Sequence, residues 1–250
     1  MKRPPRFAIS STAVHGAVAL VGGAELHHMR NVMRLVAGAE VALFDEGGAE
    51  YAGRIRGFQA RHAVVEISGT ARSSTESTAG LILAAAVIKG PRMDFLVEKA
   101  AELGAEQLWP VLCARGVVQE IAGERLARWR RLATAAAKQC LAPRPTEILA
   151  PLTIADLIRR PNGGRLCVVL RGGAPALGRV LREARRRPLL LLCGPEGDFT
   201  DQEMASVRAA GFLPAGLGTR RLRSETAALA ALSIAAGALD EFGGAVGGEN

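Results

Sequence analysis

Aromatic side chains are scarce in this sequence, with seven Phe, two Trp and one Tyr among 250 residues. A protein that grips a single nucleic-acid strand by stacking successive bases needs more rings than that. Any polyanionic partner must therefore be recognised by charge and shape. Cysteine is rarer still. Cys113, Cys140, Cys167 and Cys193 stand far apart, form no Cys-x-x-Cys pair and have no His nearby at ligand spacing, so no metal site is expected. Each lies in or beside an apolar run, where a free thiol behaves as a small hydrophobe, and this usage fits a reducing cytoplasm. No stretch reaches the ~18 uninterrupted apolar residues of a membrane span. The start, MKRPPRFAIS, carries charge without an apolar run behind it, and a cytosolic, soluble chain with no membrane partner is expected. Neither a GxGxxG fingerprint nor a Gly-Lys-Ser/Thr loop is present, so a nucleoside triphosphate is not indicated.

What the sequence has in excess is positive charge. Thirty-two Lys and Arg against 24 Asp and Glu give a formal charge of +8 and a pI near 10.1, which favours a polyanion such as nucleic acid. The basic residues cluster: between positions 171 and 187 there are six Arg and a single acid, Glu183. At 49% hydrophobic content the chain can bury a proper core, and two domains are expected.

From Phe7 to Ile67 short β-type runs (VALFD, YAGRI, AVVEI) are separated by Gly-rich turns, which predicts a small barrel. The small, polar stretch TARSSTESTAG (70–80) reads as a linker. The expected division is a first domain over 1–72, a linker over 73–80 and a second domain over 81–244. Beyond the linker, strands alternate with helices, the pattern of an α/β sheet covered on both faces. Strands are expected at 81–88, 108–112, 166–170, 189–193 and 213–217. Helices are expected from about Met93 to Leu103 with Gly104 as its cap, at 124–141, near 176–186, after Thr200, and at 225–240. The tail GGAVGGEN is expected to be loose.

In open α/β sheets ligands bind at the carboxyl ends of strands. The loops leaving LCVVL, LLLLC and LPAGL read RGG, GPEGDF and GTRRLRSETA. Gly194 and Gly197 let the main chain approach a ligand and Pro195 stiffens the turn between them.

Three stretches, KGPRMDFLVEKAAELG (89–104), CGPEGDFT (193–200) and LGTRRLRSETAALAA (217–231), closely resemble the bacterial ribosomal RNA uridine-N3 methyltransferases of the SPOUT class. RPPRF at 3–7 and HHMRNVMR at 27–34 extend the resemblance over nearly the whole chain. It implies a PUA-like β-barrel that binds RNA, followed by a SPOUT-type α/β domain whose C-terminal segment forms a trefoil knot, an exception to the rule of unthreaded chains. It also implies a homodimer, S-adenosyl-L-methionine as cofactor, and small-subunit (16S) ribosomal RNA or the assembled small subunit as partner. Two alternatives stay open: a non-catalytic RNA-binding or assembly protein on the same fold, and an enzyme acting on ribose 2′-hydroxyl or guanine N1.

The chain departs from the family pattern at three places. Asp198 replaces the glycine that usually ends the GPEGG motif, and as the residue two before Thr200 it is placed to favour a helix N-terminus. Leu141-Ala142-Pro143-Arg144 follows Gln139-Cys140 where an Arg usually comes sooner, and Lys138 stands where an acid often precedes that Gln.

The expected cofactor-binding residues are Leu170, Arg171, Gly172, Cys193, Gly194, Pro195, Glu196, Gly197, Leu217, Gly218, Leu222, Arg223 and Thr226. A uridine imide becomes nucleophilic as its proton leaves, so fixed positive charge from Arg221 or Arg223 would stabilise the developing anion. Glu225 or Glu196 would accept the proton. The rival reading of Glu225 and Thr226 is a helix start capped by Ser224. RNA contacts are expected from Arg3, Arg6, His28, Arg30 and Arg34 in the first domain, with Arg30 and Arg34 on one side if that segment is helical. Arg92, Arg128 and Arg131 are expected to add to them in the second.

Overall fold

A computed structural model describes residues 4–72, 80–161, 163–183 and 188–239. Arg3, the linker at 73–79, the arginines at 185–187 and the tail beyond 239 lie outside the described residues. The chain divides into two compact units, residues 1–76 with 137–145, and residues 77–136 with 146–250.

In the first unit, β1 (Arg6–Ala8), β2 (Val14–His15), β3 (Val18–Gly22), β4 (Glu40–Phe44), β5 (Ala49–Phe58) and β6 (His62–Arg72) form one sheet in the order β1-β4-β5-β6-β3-β2. Alternation along the strands puts one face inward. Val41, Leu43, Ile55, Ala63 and Val65 meet Phe7, Ala19, Val21 and Met29 in a closed core. Register shifts at Ala52/Gly53 and Ile55/Gly57 bend the β5–β6 ribbon. Gly53 has no space for a side chain, because a Cβ there would come within 2.8 Å of the Glu66 carbonyl oxygen.

Between β3 and β4 a short helix, α1 (Gly23–His27), runs into a π-type turn at His28–Val32. It ends at Met33, and Arg34 adopts a left-handed φ of 52°. The shared helical side expected for Arg30 and Arg34 is therefore not formed.

The second unit is a parallel sheet. β7 (Leu81–Ala86), α2 (Pro91–Glu102), β8 (Gln107–Leu112), α3 (Gly123–Gln139), β9 (Glu147–Ile148), β10 (Leu152–Thr153), α4 (Ile154–Arg159), β11 (Leu166–Leu170), α5 (Leu177–Glu183), β12 (Leu189–Cys193), α6 (Asp201–Ala209), β13 (Leu213–Ala215) and α7 (Ser224–Ala238) follow in turn. The sheet order is β10-β8-β7-β12-β11-β13, with β9 beside β8. Because successive strand residues face opposite sides, Leu81, Leu83, Leu189 and Leu191 pack under α2, α3 and α7. Their neighbours Ile82, Ala84, Leu190 and Leu192 pack under α4 and α6. This two-sided burial makes β7 and β12 uniformly apolar in sequence.

Helix ends follow local chemistry. Pro91 opens α2 and Gly104, with φ 81°, follows its end. Thr200 and Glu203 close a capping box on α6. The start of α7 differs from expectation. Arg223 takes the cap position without a side-chain cap bond, and Ser224 is the first helical residue, buried rather than capping. Among the described residues no helix is long and apolar enough to cross a membrane.

Candidate active site

The carboxyl ends of β11, β12 and β13 lie side by side, so the three loops leaving them face one another. They enclose a cavity of about 310 Å³, within the size range of small-molecule sites. Of the residues expected to bind a cofactor, Leu170, Arg171, Gly172, Cys193, Gly194, Pro195, Glu196, Leu217, Gly218 and Leu222 line it, together with Arg221. Gly197, Arg223 and Thr226 do not. Gly197 faces a smaller neighbouring pocket with Lys89, Arg92 and Arg115, Arg223 is exposed at the helix cap, and Thr226 points to solvent from α7.

Asp198, Arg220, Ser224 and Ala227 also line the cavity and were missed. Ser224 and Ala227 share a helix face at i, i+3, so the position of the helix start was the signal that would have found them.

The glycines are needed where they stand. A Cβ on Gly194 would come within 2.8 Å of the buried Phe199 ring, and Gly218 has φ 104°. Main chain therefore forms much of the wall, which suits a ligand held in part by backbone groups, with Arg171, Asp198, Arg220 and Arg221 as the charged part of the lining. Apolar Leu170, Leu217, Leu222 and Ala227 supply surface for a flat heterocycle. Cys193 is on the wall but fully desolvated. Burial pushes its thiol up to about 12, which leaves it protonated at neutral pH and excludes it as a nucleophile.

The sequence from 75 to 236, more than half of the chain, matches the RNA methyltransferase domain, and residues 21–68 match the RNA methyltransferase PUA domain. The chain belongs to this RNA methyltransferase family. Among its relatives is the Ribosomal RNA small subunit methyltransferase E of Synechocystis, 29% identical over 91% of this chain and 76% of that one. The Bacillus subtilis protein of the same name is 27% identical over 85% of this chain and 87% of its own. A crystal structure of the Neisseria gonorrhoeae protein of that name, bound to S-adenosyl methionine, superposes with a TM-score of 0.84 at 28% identity, covering 94% of this chain and 98% of that one. The fold is the one the resemblance implied, a PUA-like domain before a SPOUT-type knotted α/β domain.

Beside the cavity of this methyltransferase lies a charged network. Arg92, on the first turn of α2, pairs with Glu196 from the β12 loop, and its Nη1 lies 3.7 Å from Oε2 of Glu225 on α7. The bond to Glu196 holds the guanidinium even more firmly protonated. Glu225 is buried, and its Oε2 has no hydrogen-bond partner among the described residues. An unsatisfied buried carboxylate oxygen is costly, so it marks a place where a partner group is expected. Arg221 Nη2 donates to the Glu196 carbonyl at 3.3 Å and is otherwise exposed at the rim.

Asp198 adopts φ 61°, the left-handed region that favours glycine. Its Oδ1 accepts the Phe199 N–H at 2.8 Å and its Oδ2 meets Arg171 Nη1 at 3.1 Å. The α6 end is already capped by Thr200, so the helix-terminal role expected for Asp198 gives way to a bond across the cavity mouth. A left-handed non-glycine residue costs about 1 kcal/mol, and an exposed ion pair contributes about 0–1 kcal/mol. The Phe199 bond is of the local kind that lets Asp adopt this region, so the net contribution of Asp198 to the fold is small.

In the first unit Arg6 is corrected. Its side chain is 7% exposed, pairs with Glu50 at 2.9 Å, donates to the carbonyls of Ala137 and Ala142, and lies over the Phe44 ring. It fastens segment 137–145 to the sheet and is not free to hold phosphate. His28 packs edge-on against Phe7. Arg30 bonds to the Gln59 carbonyl and lies over Phe58, with its face still exposed, as is Arg34. On α3, Arg128 bonds to Asp94 while remaining exposed, and Arg131 is exposed.

Proposed function

We propose that this protein transfers a methyl group from S-adenosyl-L-methionine to N3 of a uridine in small-subunit (16S) ribosomal RNA. The observation that carries the reading is the cavity formed by the β11, β12 and β13 loops, with the half-exposed Arg92–Glu196 pair and the buried Glu225 beside it. The cavity wall fits the cofactor: apolar residues for its ring system, close main chain from Gly172, Gly194 and Gly218, and carboxylates at the rim compatible with a cation. When bound, the cofactor supplies an activated methyl group on a sulfonium.

The protein's part is to position and deprotonate the acceptor. Glu225 is the proton acceptor, because its Oε2 is buried beside the Arg92 guanidinium and has no hydrogen-bond partner among the described residues. Arg221 and Arg223, at the rim and at the head of α7, stabilise the charge that spreads to the uridine carbonyl oxygens as the imide proton leaves. The buried start of α7, Ser224 and Glu225, keeps water away from the reacting atoms.

RNA is held by phosphate contacts from Arg30, Arg34, Arg128 and Arg131, which set register without reading sequence. A homodimer is part of the same reading. A cytoplasmic location goes with that substrate. The test is nucleoside mass spectrometry of 16S ribosomal RNA, naked or in small subunits, after incubation with protein and cofactor. One new 3-methyluridine is expected. Ribose methylation, methylguanosine or no methyl incorporation would refute the assignment.

A further inference from the structure

We propose that Arg171 and Asp198 together recognise the amino-acid end of the cofactor, the guanidinium taking its α-carboxylate and the carboxylate its α-ammonium. This rests on the cofactor reading above and adds a specificity determinant that the family pattern, with glycine at this position, does not contain.

The two residues come from different loops, Arg171 after β11 and Asp198 after β12, and both line the cavity. Asp198 is held in place from one side: its Oδ1 accepts the Phe199 N–H, which leaves Oδ2 turned toward Arg171 at 3.1 Å. The helix that follows does not need this carboxylate, since Thr200 and Glu203 satisfy its first turn. At φ 61° glycine would sit with less strain. The Oδ2–Arg171 pair is the part of Asp198 that lies on the cavity wall.

A plain anion such as phosphate would be attracted by Arg171 and repelled by Asp198. A plain cation would meet the reverse. A group with an ammonium and a carboxylate on one carbon matches both, and inserts between them without leaving either protein charge unpaired. Among the parts of an adenosyl sulfonium cofactor, only the methionine α-carbon carries that pair.

The experiment is calorimetric titration of the purified protein with three ligands. S-adenosylmethionine has both the zwitterion and the sulfonium, S-adenosylhomocysteine keeps only the zwitterion, and 5′-methylthioadenosine has neither. Wild type is compared with Asp198→Gly, Asp198→Asn and Arg171→Gln. Glycine accepts the backbone angle at 198 better than Asp does, so Asp198→Gly folds, which thermal melting without ligand verifies.

Each variant is expected to weaken the two zwitterionic ligands by a similar factor, about tenfold, and to leave 5′-methylthioadenosine unchanged. Unchanged affinity of Asp198→Gly for both zwitterions overturns the proposal. So does a loss confined to S-adenosylmethionine, which would assign the carboxylate to the sulfonium, and so does an equal loss for all three ligands. Failure of wild type to bind S-adenosylmethionine at all would instead sink the cofactor reading itself.

Discussion

Each half of this molecule buries one carboxylate oxygen without a hydrogen-bond partner among the described residues: Oε2 of Glu25 in the first unit and Oε2 of Glu225 in the second. Their surroundings differ. Glu25 pairs through Oε1 with Lys138 at 2.7 Å, and both side chains are less than one-fifth exposed. Glu225 meets a cation only at 3.7 Å, and that cation is engaged more closely by Glu196. The first carboxylate is neutralised in place and holds segment 137–145 against the sheet that Arg6 also grips. The second is incompletely satisfied among the described residues, at the head of the helix whose Ser224 lines a ligand-sized cavity. Similar local chemistry thus sits in two settings, a closed sheet core in the first unit and, in the second, a parallel sheet whose loop ends meet around open space.

The comparison breaks most sharply at the two carboxylates themselves. Glu225→Gln is expected to lower the methylation rate at saturating substrate by about 100-fold or more, with little change in melting temperature or in cofactor affinity. Glu25→Gln is expected to leave that rate alone and to cost about 2 kcal/mol of stability, since Lys138 loses its partner in a partly buried site. Urea unfolding and single-turnover kinetics on the two variants check both. A rate loss in Glu25→Gln, or a normal rate in Glu225→Gln, would erase the distinction.

A second, intermediate effect concerns the cavity wall. Gly194→Ala places a Cβ against the buried Phe199 ring and is expected to cost about 1–3 kcal/mol through overpacking, with weaker cofactor binding in the same variant, read by denaturation and calorimetry. Gly57, inside the first sheet, has nothing within 4 Å of such a Cβ, and Gly57→Ala should be nearly silent.

The smallest effect sharpens the roles of the surface cations. Arg30→Ala with Arg34→Ala is expected to weaken RNA binding several-fold and to reduce the salt slope of log K by about two, while turnover at saturating RNA stays unchanged. Filter binding across a salt series measures it. Arg6→Ala, in contrast, should show itself as lost stability.

Much of the fold was legible in the residues. The uniformly apolar runs 166–170 and 189–193 became strands with those bounds, and the 3.6-residue periodicity from Met93 gave α2, because two-sided burial and helix spacing are local patterns. The short elements β9, β10 and α4 were not read, since two-residue strands carry no period. The site was half legible. Glycines and motif residues of the three loops pointed to the cavity, but Arg6 looked like any surface cation until Glu50, Ala137 and Ala142 surrounded it.

The sequence alone determined which segments are apolar on one face or two, where glycine must relieve the backbone, and that the surface is basic; these depend on spacing and composition within a few residues. Only the tertiary structure decided that Ser224 and Ala227 face the cavity, that Asp198 reaches Arg171 across its mouth, and that Glu225 is left one partner short. Such pairings join residues 27 to more than 100 positions apart, and chain entropy makes them undefined until the sheet has closed.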